Sequence, residues 1–301
     1  MSALPGIALA DWRSAGQDLR FNGHGIRYWT AGQGEPLLLI HGFPTASWDW
    51  HYLWAALAEQ YRVVACDMLG FGDSAKPRGH AYSLLEQADL QQALLAHLGI
   101  GEPVHVLAHD YGDSVAQELL ARHQQGRITL ASCVFLNGGL FPETHRPVLV
   151  QKLLLSPIGP LIGRLFNRQK LAASFAKVFG PQTQPSVSEL NDFWSLIAAN
   201  NGPGVMHRLI RYMPERRAQR ERWVAAMQAT AVPMRVIDGA VDPISGAHMV
   251  ARYRELIAKP DTVLLEGIGH YPQTEAPDQV LAHYLQFRQR LEAKGCDDVQ
   301  S

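Results

Sequence analysis

Cysteine is scarce in this sequence: Cys66, Cys133 and Cys296 are the only three in 301 residues. No Cys-x-x-Cys pair occurs, so a disulfide framework is excluded and a thiolate metal site has no support. The first two cysteines lie inside apolar runs and read as small core residues. Charge is thin as well. Charged residues make up 18% of the chain, against roughly 25% in a usual soluble domain. The formal net charge is -1, which leaves no global field to hold nucleic acid or an anionic membrane. No apolar run is long enough to cross a bilayer. The longest, Val148–Phe166, is broken by Gln151, Lys152, Pro157, Pro160 and Arg164, so an integral membrane segment is not expected. The opening MSALPGIALADW lacks a basic stretch and a sustained apolar core, so a secretory signal is not expected either. These absences together point to a reducing, cytoplasmic setting.

Apolar residues are plentiful, at 47%. A chain of this length buries roughly 75% of its extended surface on folding, and disorder as the main state is excluded. Short apolar runs at Pro36–Ile40, Tyr61–Cys66, Val104–Ala108, Leu130–Leu136, Met234–Ile237 and Thr262–Leu265 read as buried strands. Helical periodicity at Leu84–Leu98, Ser114–His123, Gly246–Ile257 and Asp278–Leu291 alternates with them. That alternation predicts an α/β fold with a mostly parallel sheet flanked by helices. The strand rhythm stops between Leu136 and Met234, where the chain reads as helical with Gly-Pro punctuation. We expect a core domain from 1–140 and 233–301, with 141–232 as a helical cap over the carboxyl ends of the strands. Such a cap would cover the place where parallel sheets bind ligands. Residues 295–301 are expected to fray.

Chemistry gathers at strand ends. Val104–Ala108 runs into His109-Asp110-Tyr111-Gly112 and then into a helix, the geometry of Gly-x-Ser-x-Gly with Asp at the centre. Small residues flank the centre because strand and helix backbones nearly touch there. A helix N-terminus favours an ionised carboxylate at Asp110; taken alone, Asp110 could equally be a simple N-cap. Farther on, one strand ends in Gly239-Ala240-Val241-Asp242-Pro243 and the next in Gly267-Ile268-Gly269-His270. Asp242 follows Asp110 by 132 residues and His270 follows by a further 28. The order nucleophile, acid, histidine, each at a strand end, makes Asp110, Asp242 and His270 the expected catalytic set.

These segments meet a known family. HGFP at 41–44, DMLGFGDSAKP at 67–77, AHDYGD at 108–113, GAVDP at 239–243 and GIGHYPQTEAP at 267–277 together resemble α/β-hydrolases of the epoxide hydrolase and haloalkane dehalogenase type. Two more segments, 137–154 and 178–190, resemble one narrower branch of that superfamily and carry the likeness into the insertion. The resemblance implies an α/β-hydrolase fold with a cap, and an oxyanion hole formed by the amides of Phe43 and Tyr111. It also implies a cis Phe43–Pro44 bond, and neither metal nor organic cofactor.

An aspartate nucleophile narrows the reaction. Attack on an ester carbonyl would give a reactive mixed anhydride, whereas attack on a saturated carbon gives an ordinary ester. Suitable substrates carry an epoxide, an alkyl halide or a strained lactone. His270, oriented by Asp242, would then activate a water to hydrolyse the ester. An epoxide oxygen leaves as an alkoxide and needs a proton. Family enzymes take it from cap tyrosines, usually two, and the insertion here holds one, Tyr212. Tyr212 is the expected acid, with core packing as its alternative; His145, His207 and Tyr271 are weaker donors. Dehalogenases place Trp after the nucleophile and often Asn in the oxyanion loop, where this chain has Tyr111 and Phe43. Both departures favour the epoxide. Glu143 ranks behind Asp242 as the acid. Ser114 is too far into the helix to serve an esterase, and the intact chemistry of the three positions argues against a ligand-sensing pseudoenzyme. His41, Trp48, His109 and Tyr271 are expected to border the pocket. The arginine-rich run from Arg208 to Arg222, interleaved with Glu215 and Glu221, reads as a solvated helix face. Val148–Phe166 reads first as core-facing cap helix, with an apolar tunnel wall or a membrane contact as alternatives. The expected partner is a small apolar substrate, with no nucleic acid; a homodimer stays open.

Overall fold

The computed structural model describes residues 4–299, with side chains up to residue 293. The side chain of Cys296 lies outside the described residues, as do residues 300 and 301. Strands β1 Gln17–Phe21, β2 His24–Ala31, β3 Pro36–Ile40, β4 Arg62–Cys66, β5 Val104–His109, β6 Leu130–Leu136, β7 Met234–Gly239 and β8 Thr262–Leu265 form one sheet. Their spatial order is β1-β2-β4-β3-β5-β6-β7-β8. β2 runs antiparallel to β1 and β4, and every other pair is parallel. β3 and β5 are buried along their whole length, as central strands covered on both faces must be.

The six expected strands are all present. The two the apolar runs did not announce are β1 and β2. β1 is mostly exposed and β2 only partly buried, so neither carries a continuous apolar run. Their joint is nevertheless written plainly: Asn22 and Gly23 adopt φ of 48° and 80°, the backbone of an Asn-Gly hairpin turn.

Helices Leu84–His97, Tyr111–Gln124, Ala247–Leu256 and Pro277–Val299 flank the sheet. The last is helical to Val299. Between β6 and β7 the chain is helical: Leu149–Leu155, Gly159–Arg164, Arg168–Val178, Val187–Ala198, Met206–Leu209, Tyr212–Ala218 and Arg220–Ala229, with a 3-10 turn at Ala199–Gly204. Helix Arg220–Ala229 is tied to helix Tyr111–Gln124 through Glu118, which accepts from the Trp223 indole at 2.9 Å and the Arg222 guanidinium at 2.9 Å. No helix among the described residues is long and apolar enough to cross a membrane.

The sheet's parallel half sends the loops after β3, β5, β7 and β8 out of one edge. Helix Tyr111–Gln124 is pressed against β3 there. A Cβ on Gly112 would stand 2.3 Å from the Ile40 carbonyl oxygen, closer than any real contact. Gly112→Ala is therefore expected to push the helix off the strand and cost about 1–3 kcal/mol, as overpacking of a core does. Gly79→Ala, whose Cβ meets nothing within 4 Å, is the control and should stay within about 0.5 kcal/mol. Denaturant titration of both variants checks this; equal stability would overturn it.

Candidate active site

Asp110 sits at the turn between β5 and helix Tyr111–Gln124 with φ 47° and ψ -101°. An L-residue held there costs on the order of 1–3 kcal/mol, so the surroundings must fix it. Its amide donates to Leu136 O at 3.1 Å, and its side chain is buried. Carboxylate Oδ2 accepts the Phe43 amide at 3.0 Å. Phe43 can come this close because Gly42 lacks a Cβ, which would stand 2.7 Å from His109 Nδ1 and 3.0 Å from Asp110 Cβ. The Phe43–Pro44 peptide is cis.

Arg216 approaches the same residue from helix Tyr212–Ala218. Its Nη2 donates to the Asp110 carbonyl at 2.7 Å and lies 3.5 Å from Asp110 Oδ1. Its Nε donates to Ser114 Oγ at 2.6 Å, and its guanidinium lies over the Tyr212 ring at 4.4 Å. Burial works to raise the Asp110 pKa, yet Arg216, His270, His109 and the Phe43 amide outweigh it and hold the carboxyl below its ordinary value.

His270 follows β8. Its Nδ1 lies 2.8 Å from Asp242 Oδ2. Asp242 also accepts from Ile244 N at 2.8 Å, Ser245 Oγ at 2.9 Å and Asn137 Nδ2 at 3.0 Å. Burial alone would raise Asp242; His270 and these donors bring it below its ordinary value instead. The turn carrying His270 is set by Glu275, which accepts from the amides of Gly269 and Tyr271, each at 2.9 Å. Burial would lower the His270 pKa, but Asp242 and Asp110 on either side raise it to about 9. The resting site is thus two carboxylates and an imidazolium, with Arg216 as a second cation.

Asp110, His270, Phe43 and Tyr271 share a narrow cavity of about 60 Å³ with Val150, Gln151, Leu154, Phe166, Phe175 and Met206 from the insertion. That volume admits a few waters. Three residues expected at the pocket do not line it. His41 bridges its own loop, with Nδ1 on Gly42 O at 2.9 Å and Nε2 accepting from Met68 N at 3.0 Å. Trp48 donates to Ile7 O at 2.9 Å and stacks on His51. His109 turns its Nε2 to His270 O at 2.7 Å, because successive side chains of a strand face opposite ways. Tyr271 does line the cavity, its hydroxyl 3.5 Å from Phe43 O.

Tyr212 is buried against Phe43 and Tyr111. Its hydroxyl oxygen accepts from Gln151 Nε2 at 3.3 Å. Burial and the nearby Asp110 charge raise its pKa above the ordinary phenol value. Glu143 pairs with Arg220 and Arg252 at the surface, away from the site. His207 carries no contact to Asp110, and His145 lies in the field of Asp110 and Arg216 with both ring nitrogens unpartnered. Arg216 corrects the reading of its run as a solvated face: it is 2% exposed. Glu215 beside it accepts the Leu84 amide at 2.9 Å and belongs to the fold. Only Gly139, where a Cβ would meet Arg216 Nη1 at 2.5 Å, marks in sequence the room that the guanidinium needs.

Residues 37–283 match the family model described as the alpha/beta hydrolase family. The human mesoderm-specific transcript homolog protein is 42% identical over 293 residues, covering 93% of this chain and 88% of that protein. The putative hydrolase LipZ of Mycobacterium tuberculosis is 38% identical, covering 90% and 94%. Among solved structures, haloalkane dehalogenase DbeA from Bradyrhizobium elkanii superposes with a TM-score of 0.79 at 20% identity, covering 93% and 99%. Epoxide hydrolase CorEH superposes with a TM-score of 0.75 at 23% identity, covering 92% and 99%.

The charge pattern has a pH signature. A folded His270 pKa of about 9, against 6.5 for an unperturbed histidine, means its protonation stabilises the fold fully below pH 6.5. That contribution fades as pH rises through 9. The melting temperature of the wild type relative to His270→Gln should therefore decline across this window, read by thermal denaturation at stepped pH. A difference that stays flat through it would overturn the charge assignment.

Proposed function

Because the chain belongs to the alpha/beta hydrolase family, and is a hydrolase, we propose that it opens an epoxide on an apolar small molecule through a covalent ester on Asp110. The observation that carries this reading is the Phe43 amide on Asp110 Oδ2 at 3.0 Å. With Oδ2 held, Oδ1, which Arg216 Nη2 approaches to 3.5 Å, is the oxygen that attacks a saturated carbon. After attack, Oδ2 is the carbonyl oxygen of the new ester, already against a donor that can stabilise the oxyanion formed when water adds. Tyr111, whose amide opens the helix, is the second donor in this reading.

His270 is the base for the water. While Asp110 and Asp242 are both anionic, they hold it protonated. Ring opening neutralises Asp110 and leaves Tyr212 as a phenolate; the His270 pKa falls, its Nε2 proton passes to Tyr212, and Nε2 then takes a proton from the attacking water, with Asp242 fixing Nδ1. Tyr212 supplies the proton to the departing alkoxide. Its oxygen accepts from Gln151, which lines the cavity although Tyr212 itself stands behind that wall, so its own proton remains available. Tyr271 directs its hydroxyl to Phe43 O and is less suited. Residues 141–232 act as the cap, supplying the apolar walls. A halide-releasing reading has less support, since no Trp or Asn N–H lines the cavity among the described residues.

His270→Gln incubated with a panel of styrene-type epoxides should accumulate a protein species heavier by the epoxide mass, located on Asp110 by peptide mapping. No adduct across the panel would overturn the proposal. In the same background, Tyr212→Phe should slow adduct formation by about 10²-fold or more, the usual worth of a general acid. An unchanged rate would remove Tyr212 from its role while leaving the nucleophile standing.

A further inference from the structure

The insertion carries an unusual surface. Of the large apolar side chains that stand exposed, five fall within one short stretch: Leu149 at 69%, Leu155 at 38%, Ile158 at 51%, Leu161 at 56% and Leu165 at 51%. Helix Gly159–Arg164 is built inside out. Its buried positions are Gly159 and Gly163, where a Cβ would stand 2.1 Å from Leu154 O and 2.5 Å from Pro203 O. The glycines let the helix backbone lie flat on its neighbours, and the leucines point away from the protein. A helix that served only to close the core would place them the other way round.

Charge follows the same stretch. Between Glu143 and Glu189 there is no acidic residue, while Arg146, Lys152, Arg164, Arg168, Lys170 and Lys177 supply six positive charges. None of the six forms an ion pair among the described residues. The near-neutral total charge of the chain conceals this local excess.

We propose that the segment 149–165 docks on the surface of an anionic lipid bilayer, its leucines in the acyl boundary and Lys152 and Arg164, with the flanking Arg146, Arg168, Lys170 and Lys177, among the headgroups. Apolar side chains rimmed by basic ones are what an interfacial helix presents, and the uncompensated charge complements an anionic leaflet. The inner face of the same segment lines the cavity through Val150, Gln151 and Leu154. Docking would thus bring the cavity wall to the phase in which an apolar substrate dissolves. The docking rests on the surface alone; the bilayer as the source of substrate rests on the hydrolase reading above.

Flotation with phosphatidylcholine vesicles, with and without phosphatidylglycerol, tests it. The wild-type chain should float with the anionic vesicles and release as salt is raised. Ile158→Asp/Leu161→Asp should abolish flotation, and Lys152→Glu/Arg164→Glu should lower it by about 25-fold or more, at roughly fivefold for each of the two positive charges removed. All four positions are exposed, so melting temperatures should match the wild type. Absence of flotation, or flotation equal in wild type and both variants, overturns the proposal. So does a dimer in sedimentation velocity that Ile158→Asp/Leu161→Asp dissolves while no vesicle binds, since the patch then meets a second copy. Adduct formation with a water-soluble epoxide in the absence of vesicles reports on Asp110 independently, so each reading can fail without the other.

Discussion

A carboxylate buried at a strained turn must be kept charged, and much of this molecule is arranged around that demand. Taking an ion out of water costs several kcal/mol unless donors and opposite charges replace the solvent. Asp110 receives an amide from the β3 loop, a guanidinium from the insertion and an imidazolium from the loop after β8. These come from three distant parts of the sequence. Gly42 and Gly112 are glycine for the same reason, since a side chain at either would separate the pieces.

The neighbourhood is balanced rather than merely charged. Asp110 and Asp242 are anionic, and His270 and Arg216 answer them. Two more buried acids, Asp113 and Asp238, stand nearby without such partners. Burial pushes both well above the ordinary carboxyl range; repulsion from Asp238 and Asp110 adds to it at Asp113, and repulsion from Asp242 at Asp238. The carboxyls held below their ordinary value are the two with cations against them. This selective ionisation comes from which carboxyl finds a donor: Asp242 has four within 3.0 Å, whereas both Asp113 side-chain oxygens have none.

What could be read from the chain beforehand follows the range of the interaction. The central strands, the helices after them and the turns at Asp110, Asp242 and His270 are local patterns: an apolar run, a small-residue flank, a glycine. They were legible. β1 and β2 were not, because strands that face solvent lose the apolar run, although Asn22-Gly23 marked their turn. The pocket guesses at His41, Trp48 and His109 followed nearness in sequence to the site. Nearness cannot say which way a side chain points, and all three turn toward the protein's own backbone. Arg216 was hidden for the opposite reason. It lies in a run of arginines whose other members are exposed or half-buried, and only the meeting of the insertion with the turn at Asp110 singles it out.

That meeting also divides the labour of the fold. The core contributes Phe43, Asp110, His270 and Tyr271 to the cavity, each anchored by a backbone hydrogen bond at a strand end. The walls, from Val150 and Leu154 to Phe166 and Met206, come from the insertion. Their side chains hold no hydrogen bond that the core requires, so they can vary without disturbing the charges below. Function resides in sites carried by a fold rather than in the fold itself, and here the two are physically separable. One exception is Arg216, whose guanidinium bonds to the Asp110 carbonyl and Ser114 while its chain belongs to the insertion. Through that one side chain, the position of the insertion and the charge of the carboxylate are linked: any movement that lifts helix Tyr212–Ala218 removes a cation from Asp110. An insertion free to vary in its walls is therefore held to the chemistry it covers, through Arg216 at Asp110 and through the Val178 carbonyl that accepts the His270 amide at 2.8 Å.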